Sequence, residues 1–112
     1  MKRSQNTAMP ASLIEDLKFI GERIARMRKA RNLLQAEAAV RANISRETAS
    51  RIEHGDAAVA IGQVTRYLDA IVPGASFAAI FQNDPAVSML EQSEKRQRAR
   101  KLTPNDLKKY DF

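Results

Sequence analysis

The stretch Gln35–Gly55, QAEAAVRANISRETASRIEHG, constrains this chain more than any other. It holds two short helical patterns with a turn between them. The first covers Gln35 to Ala42. The turn centres on Asn43, a residue type that accepts the left-handed backbone conformation. Ile44 follows and plugs the space between the helices. Ser45 places a side-chain oxygen where the next helix needs an N-cap. Beyond it, Ala49, Ile52 and Glu53 fall on one face, and Arg46, Glu47, Ser50, Arg51 and His54 fall toward the other. Gly55 closes the helix as its C′ residue. Helices this short are unstable alone, so the remaining chain must hold them.

Residues 1–11 read as a flexible N-terminal arm carrying Lys2 and Arg3, either a frayed terminus or a basic arm that touches phosphates. Ser12 to Glu15 is an S-x-x-E capping box and predicts a helix start. Leu13, Leu17, Ile20, Ile24 and Met27 then form a stripe at helical spacing. Arg23, Arg26, Lys29 and Arg31 lie mostly off it, as a solvated face or as phosphate contacts. Arg28, beside Ile24 and Met27, sits partly inside. Asn32 ends the helix, Leu33 joins the core, and Leu34 takes the next N-cap position, where Ser or Thr serves better. After the loop Asp56–Ala60, a fourth helix buries Ile61, Val64, Tyr67, Leu68 and Ile71. Pro73-Gly74 breaks it. Ala75–Phe81 is a fifth short helix, with Phe77, Ile80 and Phe81 directed to the core. No strand-like alternation runs through this region, so the expectation is all-α.

The composition shifts at Asp84-Pro85, an N-cap followed by proline at the first helical position. Residues 85–101 suit a helix but lack an apolar stripe after Leu90. Lys95, Arg96, Arg98, Arg100 and Lys101 form a basic cluster. Thr103-Pro104 with Asp106 opens a short final helix. Residues 91–112 hold seven Lys or Arg against four Asp or Glu, so the tail is the more basic part per residue. It ends in LKKYDF, where Leu107, Tyr110 and Phe112 are apolar anchors among charges and candidate partner-binding residues. Its partner is a protein held by those anchors or flanking DNA held by the basic cluster; the bland alternative is a solubilising tail.

The formal net charge of +6 and the pI of about 10.1 favour a polyanionic partner. No apolar run is long enough to cross a membrane, and the polar N-terminus has no signal-peptide core, so a soluble cytoplasmic protein is expected. The chain has no cysteine and one histidine, which leaves neither disulfides nor a thiolate or histidine metal cluster. Few aromatics argue against single-strand stacking platforms. No nucleophile–base pair, Gly-rich phosphate loop or metal-ligand set is visible. The expectation is therefore a non-enzyme without cofactor.

The central spacing is that of a helix-turn-helix, whose second helix enters the DNA major groove. IGERIARMRKARNLLQAEAAVRANISRETASRIEHG closely resembles the Xre-type helix-turn-helix family of phage repressors and Cro, and the similarity extends over residues 13–82. R-x-x-R late in the first helix, Gln35, Ala39, Ser45, Ile52-Glu53 and Gly55 carry it together. The basic extension is similar to antitoxins of the HipB kind. The resemblance implies a five-helix, phage-repressor-like helix-turn-helix domain over 12–83 and a basic C-terminal extension over 84–112. It implies double-stranded DNA as partner, homodimers on half-sites about 34–36 Å apart, repression, and a toxin partner if the antitoxin likeness holds. By the same resemblance Gln35 binds a phosphate, Ser45, Arg46, Glu47 and Ser50 face base edges, and Arg51 contacts base or phosphate. Arg28 and Glu53 match an internal salt bridge. Leu34, Asn43, Ala38 and Ala49 depart from the pattern, which has Ser or Thr, Gly, and larger aliphatics there. The two alanines imply closer helix approach or compensation by Leu34 and Val40. The loop after Gly55 lacks the basic residues that often touch phosphate.

Arg46 and Arg51 carry the guanidinium fork that matches O6 and N7 of guanine. Glu47 either accepts from cytosine N4 or pairs with Arg51 one turn on and orients it. His54 reads as a surface residue, with a pH-switch role as the alternative. Phe77 and Phe81 belong to the core or to a dimer surface. The competing reading of the whole chain is a protein-bridging module that uses the same fold for partner contacts.

Overall fold

A computed structural model describes residues 8–101. The described residues form five α-helices and one 3-10 turn, with no strand: α1 Ala11–Ala30, α2 Gln35–Ala42, α3 Arg46–Glu53, α4 Ile61–Ile71, the 3-10 turn Phe77–Phe81, and α5 Pro85–Lys101. The termini, with Lys2, Arg3, the 103–106 helix start and Leu107, Tyr110 and Phe112, lie outside the described residues.

Helices α1, α2 and α3 leave their last turns in one way. Asn32, Asn43 and Gly55 each adopt positive φ, at 56°, 57° and 77°. After each, an N–H turns back onto the helix: Leu33 to Arg28 O, Ile44 to Ala39 O, and Asp56 to Arg51 O. These are Schellman exits, which satisfy terminal carbonyls and turn the chain sharply. They allow short connections to fold α1, α2, α3 and α4 back on one another. Helix α2 packs on both α3 and α4, while α1 packs on α3 and α5.

The core gathers Ile24, Met27, Ala38, Ala39, Ala42, Ala49, Ile52, Tyr67, Leu68, Ile71, Ile80 and Val87. Burial of each large side chain stabilises by about 1.5–3 kcal/mol before chain entropy is counted. The choice left open by the two alanines falls to close approach. Ala38 and Ala49 are fully buried, whereas Leu34 is 66% and Val40 79% exposed and compensate for nothing.

Several expectations need correction. Helix α1 opens at Ala11 on Pro10, whose carbonyl accepts from Leu13 and Ile14. Ser12 therefore lies inside the first turn and is not the cap. The buried stripe begins only near Ile20: Leu13 is exposed and Leu17 half-buried. Leu33 is half-buried. Ile61, expected inside, is exposed at the first turn of α4, before that helix reaches the core. Phe77–Phe81 forms a 3-10 turn, and only Ile80 is fully buried in it. Phe77 packs at the core edge, while Phe81 stacks on Phe19 at the surface, centroids 6.5 Å apart.

Helix α5 has the start expected of Asp84-Pro85. Asp84 Oδ1 accepts from Ala86 N at 2.9 Å. Its other oxygen accepts from Arg31 at 3.0 Å. Although residues 84–112 read as an extension without an apolar stripe, Val87 is 2% exposed and completes the core from α5. Arg26 pairs with Glu94 across the α1–α5 seam. Arg23 donates to the carbonyls of Ile80 and Gln82, at 3.1 and 2.9 Å. Arg23, Arg26 and Arg31, read as a solvated or phosphate-facing row, are thus straps that hold the C-terminal elements against α1.

Candidate nucleic-acid interface

Helix α3 starts at Ser45, whose Oγ accepts from Thr48 N at 3.0 Å. The cap satisfies one free N–H of the first turn and fixes where the helix begins. The side chain is thereby engaged in its own helix, and it also donates to Thr48 Oγ1 at 2.9 Å. From this start the helix divides into an inner face with Ala49, Ile52 and Glu53 and an outer face with Arg46, Glu47, Ser50 and Arg51.

The inner face is locked by a polar cluster. Arg28 donates to both Glu53 oxygens, at 2.7 and 3.0 Å, and to Leu33 O at 2.8 Å. The two side chains are 10% and 7% exposed. Tyr67 donates its hydroxyl proton to Glu53 Oε2. The nearby Gln35 side chain also favours the ionised Glu53 carboxylate. Burial pushes that carboxyl up, but the hydrogen bonds from Arg28 and Tyr67 outweigh burial and leave it below the ordinary glutamate value. The same bond with Glu53 raises the Arg28 guanidinium. Burial, then the bond to Glu53, raises the Tyr67 phenol. The cluster ties α1, α3 and α4 together at one carboxylate. Among the described residues no buried side-chain polar atom lacks a partner.

Backbone contact adds to this lock. A Cβ on Gly21 would stand 2.6 Å from Glu53 O, and one on Gly55 would stand 2.6 Å from Leu17 O. Only glycine lets α1 and the end of α3 meet at that distance.

The outer face is open. Arg46, Glu47 and Arg51 are exposed and Ser50 half-buried. Arg51 pairs with Glu47 at 2.9 Å, with the side chains 56% and 75% exposed. His54, exposed at the C-cap, places Nδ1 2.7 Å from Ser50 O, which spends that nitrogen on the helix end. Gln35, half-buried, opens α2. Leu34 supplies no side-chain cap there, though its N–H donates to Glu37 Oε1 at 3.1 Å, which is half of a capping box. The loop after Gly55 is closed by Asp56 accepting from Ala58 N and presents no cation.

Two positions, Tyr67 and Gly21, act here without a strong local signal in the sequence. Tyr67 reads as one more apolar residue of α4, yet a tyrosine on a buried stripe needs a partner for its hydroxyl, and that requirement pointed to a polar neighbour. Gly21 gives no local signal beyond being a glycine inside a strong helix, which costs stability unless backbone must pass close by.

No match was found among curated proteins or solved structures. Residues 20–71 match the family model described as a helix-turn-helix domain. The matched span runs from Ile20, where α1 enters the core, to Ile71, the last residue of α4, and contains the whole α2–α3 pair. The described residues are therefore all-α and are built around a segment similar to helix-turn-helix domains.

Proposed function

We propose that this protein is a sequence-specific double-stranded-DNA-binding transcriptional regulator and not an enzyme. It acts in the cytoplasm as a homodimeric repressor on a palindromic operator. One observation carries the reading: α3 is immobilised on its inner face at Glu53 while Arg46, Glu47, Ser50 and Arg51 stand outward on the opposite face. A rigid helix with a polar, arginine-bearing outer face is what major-groove readout requires. Arg46 and Arg51 read bases, Glu47 orients Arg51, Ser45 and Ser50 approach the groove, and Gln35 positions the domain on a phosphate. The basic extension supports the finer reading of an antitoxin and autorepressor whose toxin partner is held by Leu107, Tyr110 and Phe112.

The protein-bridging alternative draws on the same face. Glu47 neutralises Arg51, and the loop after α3 carries no cation. Selection of a preferred site from random duplexes, followed by titration over a salt series, separates the two. Arg46→Ala or Arg51→Ala should cost about 1–3 kcal/mol on the preferred site and relax its sequence preference. Gln35→Ala should weaken binding equally on all duplexes. Equal losses on preferred and random DNA for both arginine variants would remove the readout claim. Binding without a salt slope would favour bridging.

A further inference from the structure

Most cations of the body are spent internally. Lys18, Arg26, Arg28, Arg31 and Arg51 pair with Glu15, Glu94, Glu53, Asp84 and Glu47. Arg23 is bound to two carbonyls. The second half of α5 is different. Lys95, Arg96, Arg98 and Arg100 are all exposed, and no acidic residue lies between Lys95 and Lys101. Two of the four have an acid one turn earlier: Glu91 precedes Lys95, and Glu94 precedes Arg98, which it attracts. Arg96 and Arg100 have none. Gln92 occupies the position one turn before Arg96, and the two arginines themselves stand one turn apart. Like charges at that spacing disfavour a helix. Neither makes an ion pair or hydrogen bond among the described residues.

The usual explanation for cations late in a helix is the negative end of its dipole. That effect is confined to the last turn, and Arg96 lies before it. Nor is this half of α5 a loose appendage. Its start is held by Val87 in the core, by Arg31 on Asp84, and by Arg26 on Glu94 immediately before the basic run. The direction in which the charges leave the body is fixed by the fold.

We propose that Arg96 and Arg100, supported by Lys95 and Arg98, form a second contact with duplex DNA, one that grips phosphates independently of the face of α3 that reads bases. The inference rests on duplex DNA being the partner. The contact is sequence-independent, because guanidinium–phosphate pairing carries no base information. It offsets the small number of cations that α3 and its following loop present.

The test uses the full chain with Arg96→Gln and Arg100→Gln together. Both residues are exposed and unpaired, and removing them relieves a like-charge pair, so the melting temperature should not fall. Affinity for the preferred duplex and for a random duplex is measured from about 50 to 200 mM salt. The slope of log affinity against log salt should become shallower by about 1.8 for each bound protomer, since each phosphate left without its arginine removes about 0.9. The ratio of preferred to random affinity should stay the same. Arg96→Lys with Arg100→Lys should keep the parent slope. An unchanged slope in the glutamine variant overturns the proposal. A parent protein that shows no sequence preference, but whose slope falls in the glutamine variant, would instead defeat base readout by α3 and leave the α5 contact standing.

Discussion

Two arginine–glutamate pairs meet on α3, and they behave as opposites. Glu53 points inward to Arg28, with both side chains about nine-tenths buried. Glu47 points outward to Arg51, with both side chains more than half exposed. The donor–acceptor distances are similar, 2.7 and 2.9 Å. Distance therefore does not separate them; solvent does. Water screens the outer pair and competes for its hydrogen bonds, so its net contribution is small. The inner pair has exchanged water for Tyr67 and the Leu33 carbonyl. Losing one partner there strands a charge in a medium that cannot solvate it. One face of the same short helix is committed to structure, and the other is left open to solvent.

The sharpest way to break this contrast is Glu53→Ala. It should destabilise the fold by about 3–5 kcal/mol, read from denaturant unfolding, because Arg28 is left buried and unpaired. The pH dependence follows from the lowered carboxyl. Its folded-state value lies below the unfolded one, so its stabilisation is complete above the ordinary glutamate range and is lost as pH falls through the lowered value. Glu53→Gln should flatten that part of the acid limb. A melting temperature indifferent to both changes would place the pair in solvent.

Tyr67→Phe comes next, at about 1.5–3 kcal/mol, since it removes a hydrogen bond to a charged acceptor but keeps the ring volume. Here the sign is reversed. The phenol is raised in the folded state, so its contribution holds below the ordinary tyrosine range and fades as pH climbs toward the raised value. The alkaline fall in stability should therefore be weaker in the phenylalanine variant. An identical alkaline limb in the two proteins would remove Tyr67 from the cluster.

The smallest effect on stability belongs to Glu47→Ala, within about 0.5 kcal/mol. Its effect should appear in binding instead. Without the carboxylate, Arg51 samples more rotamers, and preference at the base it reads should broaden with little change in random-duplex affinity. A stability loss comparable to that of Glu53→Ala would show that the two faces are not distinct.

Much of this arrangement is legible locally. Helix exits at Asn32, Asn43 and Gly55, the Ser45 cap and the Asp84-Pro85 start depend on a few adjacent residues, because backbone preference and side-chain capping act over one turn. The outward row Arg46, Glu47, Ser50 and Arg51 follows from helical periodicity once the inner face is known. Long-range partners are another matter. Nothing near Arg23, Arg26 or Arg31 in the chain names Ile80, Glu94 or Asp84, more than fifty residues away. Periodicity also marks which residues can be buried, not how far the neighbouring element reaches. It therefore counted Leu13 and Ile61 as core, left Phe81 between core and surface, and gave no place to Val87.

The sequence by itself determined where the helices of the central pair begin and end, and which side of α3 is polar, since turn chemistry and a 3.6-residue period are properties of contiguous residues. Tertiary structure alone decided that α5 completes the core, that α1 and α3 meet backbone to backbone at Gly21, and that Tyr67 joins Arg28 on Glu53. Those outcomes depend on how distant surfaces exclude water from one another, and no local window of the chain contains that information.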